Sequence, residues 1–318
     1  VGDRTYPSNP AEAASHLFLQ WIGSHYARST ALEAVSLSDA LLTGRVVIGR
    51  RWSMDLAIAD TVSLEADFRF EAARAAVEQR LDAAGRPVIL WVPPGAQIPS
   101  AEPGLSEIAL AVEGAEAIED GRLEARRPVS LAIRRTSTTG SVVTVLGGLS
   151  ASWAQFTNKV PGSFQLNSNA LYRLPASGDE RDALMQRIVN AAAQPDVDDS
   201  LPIPAEDAWT VNELGEGRSY VIGSPLPVTD EHSATLRRNL RKLLQEGAPV
   251  ARSTAEARAL VVLGSATYAE EEKLSWALKG MDPRLYAGFD LIVIVADGLV
   301  RPLLEPPRGS LPWDAPLT

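Results

Sequence analysis

The chain contains no cysteine. That excludes disulfides, thiolate nucleophiles, iron–sulfur clusters and cysteine-type zinc sites together. Histidine is nearly as scarce. His16 and His25 fall on opposite faces of one predicted helix and His232 is remote, so these three cannot assemble a paired-histidine metal site. No apolar run reaches the roughly 18 residues of a membrane span, and no membrane partner is expected. The opening VGDRTYPSNP lacks the basic start and apolar segment of a secretory signal, any targeting segment is unseen, and a cytoplasmic location is the default expectation. Positive charge is in deficit: 30 Lys and Arg stand against 40 Asp and Glu, a net charge of −10. Such a chain does not coat nucleic acid through its overall field, which leaves nucleic-acid contact to local basic patches alone. There is no Gly-x-Ser-x-Gly elbow, Walker loop or kinase set. Gly215-Glu216-Gly217 leads into a predicted strand where a dinucleotide fingerprint would leave one, so it reads as turn chemistry. The sequence specifies no cofactor.

What is present is an ordinary globular composition, 45% hydrophobic and 22% charged over 318 residues, enough for about two domains. Leu17, Phe18, Trp21, Ile22 and Tyr26 recur at helical spacing around much of the circumference of a helix over 11–28, which predicts deep burial. Strands are expected over 45–51 and 54–59. Phe70, Ala73, Val77 and Leu81 then mark a helix that Gly85 ends, followed by a strand over 87–92. Two apolar runs, 129–135 and 141–146, flank a polar turn and predict a hairpin. A helix is expected over 183–193. The stretch 194–206, rich in Pro and Asp, is the expected linker. Beyond it strands over 219–222, 259–263 and 291–295 alternate with helices over 233–246 and 268–278, the pattern of an open, mostly parallel sheet covered on both faces. The expected fold class is therefore α/β: an N-terminal α/β domain with a β-rich extension over 1–194, a linker over 195–207, and a C-terminal doubly wound, Rossmann-like domain with a Pro-rich tail over 208–318.

Ligands of open parallel sheets bind where the carboxyl ends of strands meet their loops. Three such ends carry Gly223-Ser224, Gly264-Ser265 with Thr267, and Asp297-Gly298. Glycine admits a close phosphate, hydroxyls and amides bind oxyanions, and an Asp holds a ribose hydroxyl, so Gly223, Ser224, Gly264, Ser265, Thr267 and Asp297 are nucleotide-binding candidates. The same residues also end strands and open turns by ordinary preference. Over about a third of the chain, Gly223-Ser224-Pro225 and Thr267-Tyr268-Ala269-Glu270 remotely resemble the nucleoside deoxyribosyltransferases. That likeness implies a base-and-sugar pocket with Glu270 as nucleophile, although the acidic-Gly-Thr context of that family is missing.

The helix–strand–strand–helix–strand order of the first hundred residues resembles the core of restriction-endonuclease-like nucleases, which implies carboxylates on a divalent metal. Asp55 and Asp60 lie in the corresponding region with Glu65 after them, but no Glu-x-Lys follows. An inactive relative or an unrelated unit is therefore expected over an active nuclease. Basic residues pair up at Arg50-Arg51, Arg126-Arg127, Arg134-Arg135 and Arg237-Arg238 with Arg241-Lys242, a pattern that solvated charged faces produce more often than phosphate clamps do. Trp153, Phe156 and Trp313 serve equally as core or as contact surface, with core the commoner use. No catalytic residue and no metal site stands out. The leading expectation is a non-catalytic interaction or scaffolding subunit of a larger intracellular assembly, with a protein partner. A nucleotide-binding or nucleotide-hydrolysing protein comes second and a metal-dependent nuclease third.

Overall fold

The computed structural model describes residues 9–38, 41–60, 68–118, 121–147, 159–194, 196–224, 232–246, 254–264 and 277–314. Helix α1 (Pro10–Tyr26) begins where Asn9 Oδ1 accepts the Ala11 amide at 2.8 Å with Pro10 in the first turn, and ends at Ala27 in the left-handed conformation. Strands β1 (Thr30–Ser38), β2 (Leu41–Ile48) and β3 (Trp52–Asp60) form an antiparallel meander. Helix α2 (Phe68–Ala83), strand β4 (Val88–Trp91) and helix α3 (Gly104–Glu113) follow. After the two-residue β5 (Glu116–Ala117) come β6 (Leu123–Ser137), β7 (Ser141–Gly147), β8 (Gly162–Ser168), α4 (Gly178–Ala192) and β9 (Ser200–Glu213). The chain continues through β10 (Tyr220–Ile222), α5 (His232–Glu246), β11 (Ala257–Leu263), β12 (Leu291–Ala296) and β13 (Leu299–Leu304).

Two mixed sheets result, so the protein is α/β. The first has the order β1-β2-β3-β11-β12-β13, with β3, β11 and β12 mutually parallel; the second has the order β10-β4-β9-β6-β8-β7, with β5 beside β6. Strands from both sides of the expected linker enter each sheet. One apolar cluster spans them: Leu17, Phe18 and Ile22 of α1 pack with Val46, Met54, Ile58, Val261 and Val293 of the first sheet and with Ile89, Trp91, Tyr220 and Ile222 of the second. The opposite face of the first sheet, through Ala59, Val262 and Ile294, is covered by Leu240 and Leu244 of α5. In the second sheet Leu90, Trp209 and Val211 pack under α2 and α3, and Leu131, Phe164, Leu166 and Ile203 pack under α4. No described helix is long and apolar enough to cross a membrane.

Four expectations change. The residues 194–206 are not a linker from Ser200 onward but the first half of β9, paired with β6 from Ser200 to Val211. Leu201, Ile203 and Ala205 turn inward, while Pro202 and Pro204 occupy the alternate positions, whose amides would point away from β6, the direction in which the Ala208 amide reaches the Arg173 carbonyl at 3.1 Å. Proline is tolerated where no ladder bond is lost. Second, β6 and β7 are antiparallel as a hairpin would be, but β8 lies between them, antiparallel to β6 and parallel to β7. Third, β10 does not join β11 and β12; it pairs parallel with β4 in the other sheet, so the C-terminal strands do not form a sheet of their own. Fourth, β1 was not anticipated. Its sequence, TALEAVSLS, has too few large apolar residues to read as a strand, as suits an edge position. Most of the expected helix 268–278 falls outside the described residues, and 277–280 form a turn. The C-terminal Trp313 is core, fully buried in the shared cluster, while Trp153 and Phe156 lie outside the described residues.

Strand β10 is an edge strand, and α2 covers that edge chemically. Glu78 Oε1 accepts the Val221 amide at 3.0 Å and Asp82 Oδ1 accepts the Ser219 amide at 2.6 Å. Four residues apart on one helix face, these carboxylates supply the acceptors that a further strand would. Glu78→Ala leaves the buried Val221 amide without its acceptor. It should cost about 1–3 kcal/mol, read as a lower urea midpoint at unchanged slope.

Candidate functional site

A buried polar cluster lies where the two sheets meet. Strands β12 and β13 are joined by Asp297-Gly298, a two-residue turn with φ of 49° and 78°. Both positions are left-handed, which Asp tolerates and Gly favours. A side chain at Gly298 would place its Cβ 2.5 Å from Asn212 Oδ1, so the turn fits only glycine there. Arg122, just before β6, donates to the Asp297 carbonyl at 3.1 Å and to Oδ2 at 3.3 Å. Arg173, between β8 and α4, donates to Asp297 Oδ1 and to Thr210 Oγ1 of β9. Asn212 Nδ2 donates to the Gly298 carbonyl at 3.1 Å, and its Oδ1 accepts the Trp91 indole at 2.8 Å. Asp297 is only 5% exposed. One carboxylate beside the first sheet is thus held by two guanidiniums beside the second, one on each oxygen.

This geometry locates the nucleotide candidates. Gly264 and Asp297 sit at the ends of adjacent parallel strands, with the Gly264 amide donating to the Val295 carbonyl at 2.8 Å. Gly223 and Ser224 follow β10 in the other sheet, where Gly223 packs on Val92 and Phe70 and the Ser224 carbonyl accepts the Gly95 amide at 2.8 Å. The three strand ends therefore do not line one rim of one sheet. Ser265, Thr267 and Glu270 lie outside the described residues.

The metal candidates do not converge either. Asp55 of β3 accepts both Nε and Nη2 of Arg45, its cross-strand partner on β2, at 3.2 Å. Asp60 ends the same strand, opposite Leu263 of β11. Five residues of extended chain put their Cα atoms about 16 Å apart, too far to share an ion. Glu65 lies outside the described residues, and among the described residues no three His, Asp or Glu side chains group as a metal site.

The basic pairs are largely engaged inside the protein. Arg126 makes ion pairs with Glu116, Glu124, Glu180 and Glu206. Arg127 stacks 4.4 Å over the buried Trp209 ring, and burial lowers its pKa. Arg134 pairs with Asp198, and Arg135 lies over Phe164. Arg28 and Arg51 both approach the Trp52 ring, at 5.9 and 5.4 Å. On α5, Arg238, Arg241 and Lys242 are exposed.

Sequence reading missed Arg122, Arg173 and Asn212, which carry no local motif. It also missed the buried Asp207, which accepts the Tyr172 and Arg173 amides at 2.9 and 2.8 Å and the Trp209 indole at 2.8 Å. The only local signal for Asp207 is the Asp-x-Trp spacing, which puts both side chains on one strand face. Burial raises the Asp207 pKa above its ordinary 3.8 despite these donors.

Two measurements follow from this junction. Asp297→Ala removes the carboxylate that two partly buried arginines share and should cost about 3–5 kcal/mol, read by urea titration. Asp207 binds its proton more tightly folded than unfolded, so its contribution to stability falls as pH rises from 3.8 through its higher folded value. The stability of the wild-type chain relative to Asp207→Asn, which does not titrate, should therefore decline across that window in urea melts at stepped pH. Comparison with protein-family models, curated proteins and solved structures finds no match for this chain.

Proposed function

We propose that this protein is a non-catalytic interaction subunit that scaffolds a larger assembly through the outer edge of its second sheet. The observation that carries the reading is β7. Among the described residues it is the last strand of the sheet, and its Val142 and Leu146 side chains are 61% and 40% exposed. The strand SVVTVLG has strong β propensity and no charge, proline or bulge, the devices by which edge strands are ordinarily kept from pairing with other chains. The opposite edge of the same sheet, β10, has its amides taken by Glu78 and Asp82. Among the described residues nothing pairs with the outer edge of β7, while its counterpart β10 is capped, which favours recruitment of a further strand. Of the carboxylates offered to the nuclease and nucleotide alternatives, Asp55 and Asp297 are each engaged by arginine, which supports the same choice, while Glu65 and Glu270 lie outside the described residues.

The test is a double variant, Val142→Lys with Leu146→Lys, which alters only exposed positions. In size-exclusion chromatography of extract from the native cells, the wild-type chain should elute in a complex well above its 34.0 kDa. The variant should elute smaller, with its thermal melt unchanged. Identical elution of the two overturns the proposal.

A further inference from the structure

Resting on that reading, we infer that the strand that pairs with β7 is β7 of a second copy of this chain, antiparallel about Thr144. The backbone phase of the edge comes from its inner bonds. The Gly140 carbonyl accepts the Gly162 amide at 3.1 Å and the Leu146 carbonyl accepts Ser168 Oγ at 3.0 Å, both on the β8 side. Carbonyls and amides alternate in direction along a strand, so the groups of Ser141, Val143 and Val145 point outward, and the Gly147 amide does so across the peptide plane from the Leu146 carbonyl.

A two-fold axis through Thr144 satisfies this phase. Val143 then faces Val145 of the other copy, the pair exchanging both hydrogen bonds, and the Gly147 amide faces the Ser141 carbonyl, while the two Thr144 residues meet as the non-hydrogen-bonded pair on the axis. The same register sets Val142 opposite Leu146 of the second copy. The two exposed apolar side chains of each edge are thereby matched to each other, and the two threonines, a favourable cross-strand pair, are placed at the centre. The match is also electrostatic. In a protein of net charge −10, copies repel wherever acidic surface meets acidic surface, and β7 is a seven-residue stretch with no charged side chain at all. Val143 and Val145 already rest on the cluster under α4, so the strand is held extended before the second copy arrives. Pairing joins the two seven-stranded sheets into one continuous sheet across the axis.

The absence of cysteine makes the register directly testable. Thr144→Cys introduces a single thiol, and across the axis the two Cα atoms would lie about 4.5 Å apart, within disulfide reach. The full chain carrying Thr144→Cys should form a disulfide dimer on mild oxidation. Val142→Cys alone should not, because its mate would lie about 13 Å away, but it should cross-link to Leu146→Cys when the two proteins are mixed. By sedimentation, the wild-type chain should be a dimer and the double lysine variant a monomer.

A dimer in which Thr144→Cys fails to link overturns this register. A wild-type chain monomeric to about 100 μM, above the micromolar range of ordinary specific association, overturns self-pairing. In that case, a larger complex in native extract that depends on Val142 and Leu146 still upholds the interaction reading with a different partner. Loss of that complex as well overturns both.

Discussion

Helix α1 is apolar around most of its circumference and has sheet on more than one side, so its burial ties the two sheets to a common interior. Ala11, Ala13, Ala14 and Ser15 in its first half are small enough to let strands approach closely, while Leu17, Phe18 and Ile22 fill the space between β2, β3, β11 and β12 on one side and β4 and β10 on the other. A helix hydrophobic on one stripe could have served one sheet. This one leaves neither sheet able to form its full core without the other. The chain path follows from that constraint: it leaves the first sheet after β3, builds the second around β4, β6 and β9, and returns with β11 beside β3.

The polar junction at Asp297 is placed by the same arrangement. Once β12 ends against the second sheet, its turn meets Arg122, Arg173 and Asn212, which belong to strands and loops far apart in sequence. A buried carboxylate requires partners, and these supply them. The residue that strand-end logic offered to a ribose is used in this fold to join two sheets. The Asp207 and Arg126 networks likewise connect β6, β9 and α4, so much of the protein's unusual charge placement is accounted for by internal architecture. On the surface, Val142 and Leu146 of β7 are among the large apolar side chains that the fold leaves exposed.

Local patterns carried a good share of the fold. The apolar periodicity around much of α1, the stripe Phe70, Ala73, Val77 and Leu81 of α2 with its stop at Gly85, and the short apolar runs of β4, β11 and β12 all became the elements their spacing dictated. Where reading failed, a local rule met a tertiary exception. Prolines at 202 and 204 signalled a break, yet they fall at the alternate positions of β9 where no amide is needed. The runs at 129–135 and 141–146 signalled a hairpin because nothing local announces that β8 will insert between its arms.

What the sequence by itself determined is the kind and place of most elements, the α/β class, and the exclusion of thiol chemistry, because period, propensity and composition act over a few neighbouring residues. What only the tertiary structure decided is which strands are neighbours and which charges meet. A run such as Leu291–Ala296 declares that both its faces will be covered without naming the strand beside it. Asp297 declares a turn without naming the two arginines that reach it from 124 and 175 residues away. Strand partners and buried ion pairs are set by long-range packing around α1, for which no short stretch of sequence holds the information.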